Sequence, residues 1–175
     1  KMFAIGDPPD YEPAPETSIA ARAAVMGRDG ADLAYDLLLE REGRAILYRP
    51  ILNYSEGTLD VCREMLAHKS TLVGLGDGGA HCSIICDASL PTFMLTHWTR
   101  DRRRGENLPP ASVIGAQTHD TAQAVGLSDR GVIAPGYKAD LNVIDYDRLQ
   151  LHIPEAVYDL PSGGRRLIQR CEGYR

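Results

Sequence analysis

Residues 74–82 read GLGDGGAHC and set an acid, Asp77, and an imidazole, His81, in one glycine-rich loop. Gly74, Gly76 and Gly79 also spell a G-x-G-x-x-G. Two chemistries are therefore open: a phosphate held on backbone amides, or an acid and an imidazole presented to some other ligand. The phosphate reading needs a preceding strand, a helix opening on the loop and an acid about 20 residues later. TLVGL (71–75) supplies the strand, but AHCSIICDASLP (80–91) has no clean helical period, and the later position falls in an arginine-rich run. A carboxylate at Asp77 would also repel a pyrophosphate among those amides. In the other reading the glycines are clearance, letting the chain leave a strand sharply and a ligand approach the backbone. Asp77 then stands at the C-terminal end of a parallel strand, where α/β barrels keep their chemistry. An acid capping a turn amide and a loop histidine without a catalytic part are the plain structural readings of the same residues.

Four cysteines, Cys62, Cys82, Cys86 and Cys171, lie scattered without C-x-x-C spacing. Cys82 and Cys86 could join His81 at a metal, although zinc sites show tighter pairing. Taken together the four read as reduced thiols of a cytoplasmic protein. A net charge of −5 and a pI near 5.5 argue against a nucleic-acid partner. The one basic run, Arg100-Asp101-Arg102-Arg103-Arg104, reads as a solvated helix end, where cations are favoured. No apolar run is long enough for a transmembrane helix, and the first residues lack the apolar region of a signal peptide.

The elements that must position the loop alternate. Ser18 or Thr17 can cap a helix through SIAARAAVMG that Gly27 ends, and Asp29 can cap GADLAYDLLLERE, which Gly43 stops. AILYRPI (45–51) reads as a buried strand, Thr58 caps LDVCREMLAHK, and TLVGL leads into the loop. This order, helix-strand-helix-strand, predicts parallel strands with covering helices. Beyond the loop, LPTFMLTHWTRDRRRG reads as a helix ended at Gly105, Pro110 suits a first helical turn, and THDTAQAVG is a short helix capped by Thr118. The pair Pro135-Gly136 marks a type II turn with β structure on both sides, and RRLIQRC (165–171) is a further strand. The character changes near 127–130, which divides the chain into an α/β part, 1–127, and a mainly β part, 128–175.

Three stretches carry a family resemblance: TLVGLGDGGAH (71–81), THDTAQAVGLSDRGVIAPGYKADLNVID (118–145) and TSIAARAAVMGRDGADLAYDLLLEREG (17–43). They resemble the C-terminal portion of the amidohydrolase superfamily, and within it the N-acyl-D-amino-acid deacylase (D-aminoacylase) branch. The pattern R-G-x-I-x-P-G-x-x-A-D-L is the more specific to the superfamily, G-D-G-G-A-H to the branch. The resemblance implies an α/β fold: the last two strand-helix units of a metal-dependent-hydrolase (β/α)₈ barrel, followed by part of a small β domain. It also implies a zinc-dependent hydrolase of linear amides. There Asp77 takes a proton from the attacking water and passes it to the leaving nitrogen, with Asp77 a candidate metal ligand and His81 and Gly78 candidate substrate contacts. The departure from the family is as informative. Such enzymes carry an H-x-H after the first strand, whereas this chain has only His68, His81, His97, His119 and His152 and no H-x-H. A barrel also needs eight strands and about 250 residues. The expectation is a C-terminal piece of a longer enzyme, or a degenerate relative of one, inactive and without zinc by itself, whose parent takes a small-molecule substrate. The alternatives are a non-catalytic module that self-associates through exposed apolar faces, and a cyclic-amide hydrolase of the same superfamily.

Overall fold

The structure, a computed structural model, describes residues 1–74, 76 and 81–175. In chain order its regular elements are β1 (Phe3–Ala4), α1 (Ile19–Met26), α2 (Gly30–Gly43), β2 (Leu47–Tyr48), α3 (Asp60–Ala67), α4 (Leu90–Thr96), α5 (Pro110–Gly115), α6 (Thr121–Ala124), β3 (Gln150–Leu151), β4 (Glu155–Leu160), β5 (Gly164–Ile168) and β6 (Cys171–Glu172). They belong to two compact units whose segments interleave along the chain: 1–59, 81–86 and 152–170 in the first, and 60–80, 87–151 and 171–175 in the second. The change of character at 127/128 falls inside the second unit, because the units are defined by returns of the chain and not by local composition.

In the first unit, Ser18 caps α1 by accepting from the amide of Ala21, and Gly27 closes it with φ 62°. Asp29 caps α2 by accepting from Ala31 and Asp32. The apolar residues recurring along both helices meet as a buried cluster of Ile19, Ala23, Leu33 and Leu37, against which Ala34 and Leu47 pack. The helical path of α2 breaks at Glu40–Glu42, one turn before the stop expected at Gly43. Beside this pair β1 runs antiparallel to β2, and Phe3 is buried against Tyr48 and Tyr54. The third element of the unit is the antiparallel hairpin β4–β5, laced across by Arg166 and Asp159 at 2.7 Å.

In the second unit the buried apolar residues are Met94, Leu95, Trp98, Leu108, Val113, Ala122, Leu149 and Leu151. The chain leaves α4 through a wider turn over His97–Asp101, and Arg102 is already extended, so this helical run ends before Gly105. Thr118 does not start a helix. Its hydroxyl donates to Ile114 O inside a continuous run from α5 to α6, which Gly126 ends at φ 79°. Strands β3 and β6 pair antiparallel.

Two expectations are corrected. All named strand pairs among the described residues are antiparallel, not parallel. The run 45–51 contributes only Leu47–Tyr48, which pair with β1, and residues 71–74 form no strand. At Thr71 the amide and hydroxyl donate back to His68 O and Met65 O at the end of α3, so they do not reach a neighbouring strand. Short apolar runs carry strand propensity, but only a partner edge turns them into a sheet. The Pro135-Gly136 turn forms, with Tyr137 N donating to Ala134 O at 3.1 Å and Gly136 at φ 86°. Its flanks are not strands; within 131–145 the one β contact is an isolated bridge of Ile144 to Tyr174.

Candidate active site

Asp77, Gly78 and Gly79 lie outside the described residues, and the loop is defined here by its two ends. At the entry, a Cβ on Gly76 would sit 3.2 Å from the Pro91 ring, whereas one on Gly74 would meet nothing within 4 Å. A side chain at Gly76 would need the Pro91 ring to give by a few tenths of an ångström, whereas one at Gly74 would meet open space. At the exit, His81 is exposed and takes φ 63°, an uncommon conformation for a residue with a side chain. Its carbonyl accepts from Ile84 N and Ile85 N, both at 2.9 Å, which makes one helical turn. The first α-helix after the loop starts only at Leu90, so no helix opens on the glycines as a dinucleotide site requires.

The exit is anchored by the β4–β5 hairpin. Leu167 faces Ala156 in the hairpin register, and it turns its own amide toward the loop segment, donating to Cys82 O at 2.7 Å. Leu167 O accepts from the Cys86 thiol at 4.0 Å, and the Arg165 guanidinium donates to Ser83 O at 3.0 Å. Segment 81–86 therefore covers the second edge of β5, satisfying polar groups that an open strand would leave bare. The sequence contains no signal for this contact, because it joins residues more than eighty positions apart.

Beside this edge lies a polar cluster. Gln169 donates from its side-chain amide to Tyr11 Oη at 2.9 Å and to His152 O at 2.8 Å. Burial pushes the Tyr11 phenol up to about 12, against the opposing hydrogen bond from Gln169. The carboxylate of Asp7 accepts from Ile153 N at 3.2 Å and lies 3.5 Å from His152 Nδ1.

The other sequence-identified histidines are dispersed. His68 ends α3, and its Nδ1 accepts from Ser70 N at 3.2 Å. His97 stacks on Phe93 at 4.8 Å and meets Trp98 edge-on, a packing role. His119 pairs with its neighbour Asp120 at 2.9 Å. Among the described residues no group of three His, Cys, Asp or Glu side chains could hold a metal ion, so His81, Cys82 and Cys86 do not form the site weighed from their spacing. No disulfide joins the four cysteines.

The arginine run is corrected as well. The Arg102 side chain is fully buried (0 % exposed), with its guanidinium 2.7 Å from Asp60, 3.0 Å from Glu106 O and stacked over Trp98. Arg100 donates to the carbonyls of Tyr146 and Leu149 while pairing with Asp101. A local reading sees four guanidinium groups near a helix end; tertiary packing selects Arg100 and Arg102 as internal ties.

The glycine of the R-G-x-I-x-P-G pattern has a clear task. Gly131 takes φ 81°, and a Cβ there would lie 2.7 Å from Thr118 O and 2.8 Å from His119 Cα. Lys138 N donates to Asp129 O at 2.7 Å and closes the pattern into a loop against the α5–α6 run. The Arg130 guanidinium beside Asp129 holds that carboxyl below its ordinary range.

The amidohydrolase family profile matches residues 15–164, and the chain belongs to that family. The superfamily is TIM-barrel-like and generally metal-binding; this chain by itself is mixed α/β with small antiparallel sheets. A 5-methylthioadenosine/S-adenosylhomocysteine deaminase of Desulfitobacterium hafniense is 34 % identical over 83 residues, which is 47 % of this chain and 19 % of the deaminase. An adenine deaminase of Sinorhizobium fredii is 45 % identical over 58 residues, 33 % of this chain and 9 % of that protein. The chain thus spans only about a fifth or less of the curated relatives it matches. No solved structure matches it significantly. No helix among the described residues is long and apolar enough to cross a membrane.

Proposed function

We propose that the chain is part of a hydrolase that cleaves a carbon–nitrogen bond, with Asp77 as its proton-transfer group. The observation that supports this most is the amidohydrolase match across 15–164, a span that contains the G-D-G-G-A-H loop. Asp77 accepts the proton of the attacking water and returns it to the leaving nitrogen, work suited to a carboxylate fixed near the substrate. Gly78 and His81 are proposed as its substrate contacts, on the same likeness. The bond we favour is the linear amide of an N-acyl-D-amino acid, on the likeness of G-D-G-G-A-H to that branch. The described residues do not fit a zinc centre, since they hold no three-ligand group and the sequence has no H-x-H. No step is therefore routed through a metal. Asp77 is the one candidate metal ligand in this sequence, the remaining ligands being absent from it, and 128–175 is read as part of a small β domain of the same cytoplasmic enzyme.

A second reading has its own support: the two matched relatives are named deaminases of adenine compounds. The discriminating experiment is a substrate panel containing an N-acetyl-D-amino acid, a cyclic amide, adenine and 5-methylthioadenosine. It is run with added zinc on the chain alone and on a protein extended to include an H-x-H. The expected result is no turnover by the chain alone, and deacylation by the extended protein that falls about 10²-fold or more with Asp77→Asn. Ammonia release from adenine compounds, without deacylation, would replace the first reading by the second. Full activity of Asp77→Asn would remove Asp77 from both. Self-association through apolar side chains such as Ile133 and Val25, 87 % and 90 % exposed, is the non-catalytic proposal. Light scattering that stays monomeric over a wide concentration range would rule it out.

A further inference from the structure

We propose that Arg165 is a positioning residue for the candidate loop: from the β4–β5 hairpin it fixes the backbone at the loop's exit, and with it the left-handed His81. Three successive carbonyls at that exit are each held. His81 O accepts from Ile84 N and Ile85 N, both at 2.9 Å, Cys82 O accepts from Leu167 N at 2.7 Å, and Ser83 O accepts from the Arg165 guanidinium at 3.0 Å. The bonds to His81 O and Cys82 O come from backbone amides, whereas the bond to Ser83 O comes from a side chain and depends on its type. The neighbouring guanidinium groups on and just beyond β5 are turned elsewhere, Arg166 to Asp159 at 2.7 Å and Arg170 to Glu155 at 2.6 Å. Among the described residues Arg165 pairs with no acid and gives its hydrogen bond to the loop segment. Arg165 is exposed, so its hold is that of one surface hydrogen bond, a several-fold effect and not an all-or-none one.

His81 takes φ 63°, where a residue with a side chain is uncommon, and such a conformation persists only where its surroundings over-determine it. A turn over 81–85 closed only on itself would be free to swing as a body. The bonds at Cys82 and Ser83 tie it to the hairpin, whose strands pair from Glu155 and Ile168 to Leu160 and Gly164. The direction in which the His81 imidazole leaves the chain is therefore set from β5, more than eighty residues later in the sequence. Covering the edge of β5 requires that the Leu167 amide find an acceptor, but gives no reason for a side chain at 165 to reach Ser83 O. An effect on substrate rests on the reading of His81 as a substrate contact given above; the hold on the backbone does not.

The test measures amide hydrogen exchange by NMR on the full chain, together with the backbone chemical shifts of His81, for Arg165→Met and Arg165→Lys. Methionine keeps an unbranched side chain without a donor, and lysine keeps a donor. Arg165→Met should speed exchange at Ile84 and Ile85 by about threefold to tenfold and move the His81 shifts, while the amides of Ala23 and Leu37 in α1 and α2 stay as they were. Arg165→Lys should restore most of the protection. Unchanged exchange at Ile84 and Ile85 in Arg165→Met overturns the proposal. So does an equal rise at Ala23 and Leu37, which would make Arg165 a general stabiliser of its unit. On the protein extended to include an H-x-H, Arg165→Met should raise KM about threefold or more, and Arg165→Lys should bring it back. Faster exchange with an unchanged KM would remove His81 from the substrate contacts and leave the hold of Arg165 standing. No substrate enters the exchange measurement, so its failure is separable from failure of the hydrolase reading.

Discussion

The helix pair α1–α2 and the loop 129–143 are opposite in what holds them. In the helix pair three of the four ends have a local device: Ser18 and Asp29 on the first turns, Gly27 at the close of α1. On their facing sides Ile19, Ala23, Leu33 and Leu37 bury one another, down to 3 % exposure at Ile19 and 4 % at Leu33. The loop has a turn hydrogen bond, a closing bond from Lys138 to Asp129 and a glycine pressed on His119, but its apolar side chains find no cover. Ile133 is 87 % exposed, and Leu141 and Val143 are more than 60 % exposed. The contrast teaches that capping and burial stabilise a helix pair from within, while an extended apolar segment contributes little until another edge or face receives it.

Substitutions ordered by expected effect probe that contrast. Leu33→Ala should destabilise the chain by about 3–4 kcal/mol in denaturant unfolding, because a buried side chain leaves a cavity; a loss below about 1 kcal/mol would show the helix cluster is not the support it is taken for. Arg102→Ala should cost about 3 kcal/mol, since it removes a buried cation that ties Asp60, Glu106 and Trp98 together. Its neighbour Arg103→Ala, on an exposed residue, is the control and should stay within about 0.5 kcal/mol.

Tyr11 gives a pH test. Its pKa is raised from 10.0 to about 12 in the folded chain, so the protonated phenol is favoured there. The associated stability is complete below pH 10 and is lost as pH rises toward 12, because the unfolded chain releases its proton first. At full strength two units correspond to about 2.7 kcal/mol, and partial exposure brings this to about 2 kcal/mol. Thermal unfolding between pH 9 and 12 should show the decline, and Tyr11→Phe should flatten it. Smaller still, Asp29→Ala should cost about 1 kcal/mol through loss of the cap. Ile133→Ser should change stability by no more than about 0.5 kcal/mol. A large loss there would mean that the loop is covered in solution, and would erase the difference between the two regions.

Local chemistry was legible at several element ends, although the stops read at Gly43 and Gly105 and the cap read at Thr118 fall elsewhere. The caps at Ser18 and Asp29, the stop at Gly27 and the turn at Pro135-Gly136 form as their residue types require. Candidate residues were legible only as chemistry. Asp77 and Gly78 fall outside the described residues, and His81 was identified by type but not by its left-handed backbone. Signals failed where the partner is distant. The run at 45–51 pairs with residues 3–4, an edge no periodicity points to, and Arg102 is buried although a run of charges reads as surface.

Family membership belongs to the sequence alone, since the match over 15–164 depends on residue order and on no contact. So do the helix ends, whose donors and acceptors are a few bonds apart, and the absence of an H-x-H. The tertiary structure alone decided that Leu167 anchors the exit of the loop, that Arg102 turns inward, and that the strands pair antiparallel. Those outcomes depend on which distant groups meet, and a hydrogen bond or buried charge gains its free energy only once its partner has been brought within reach.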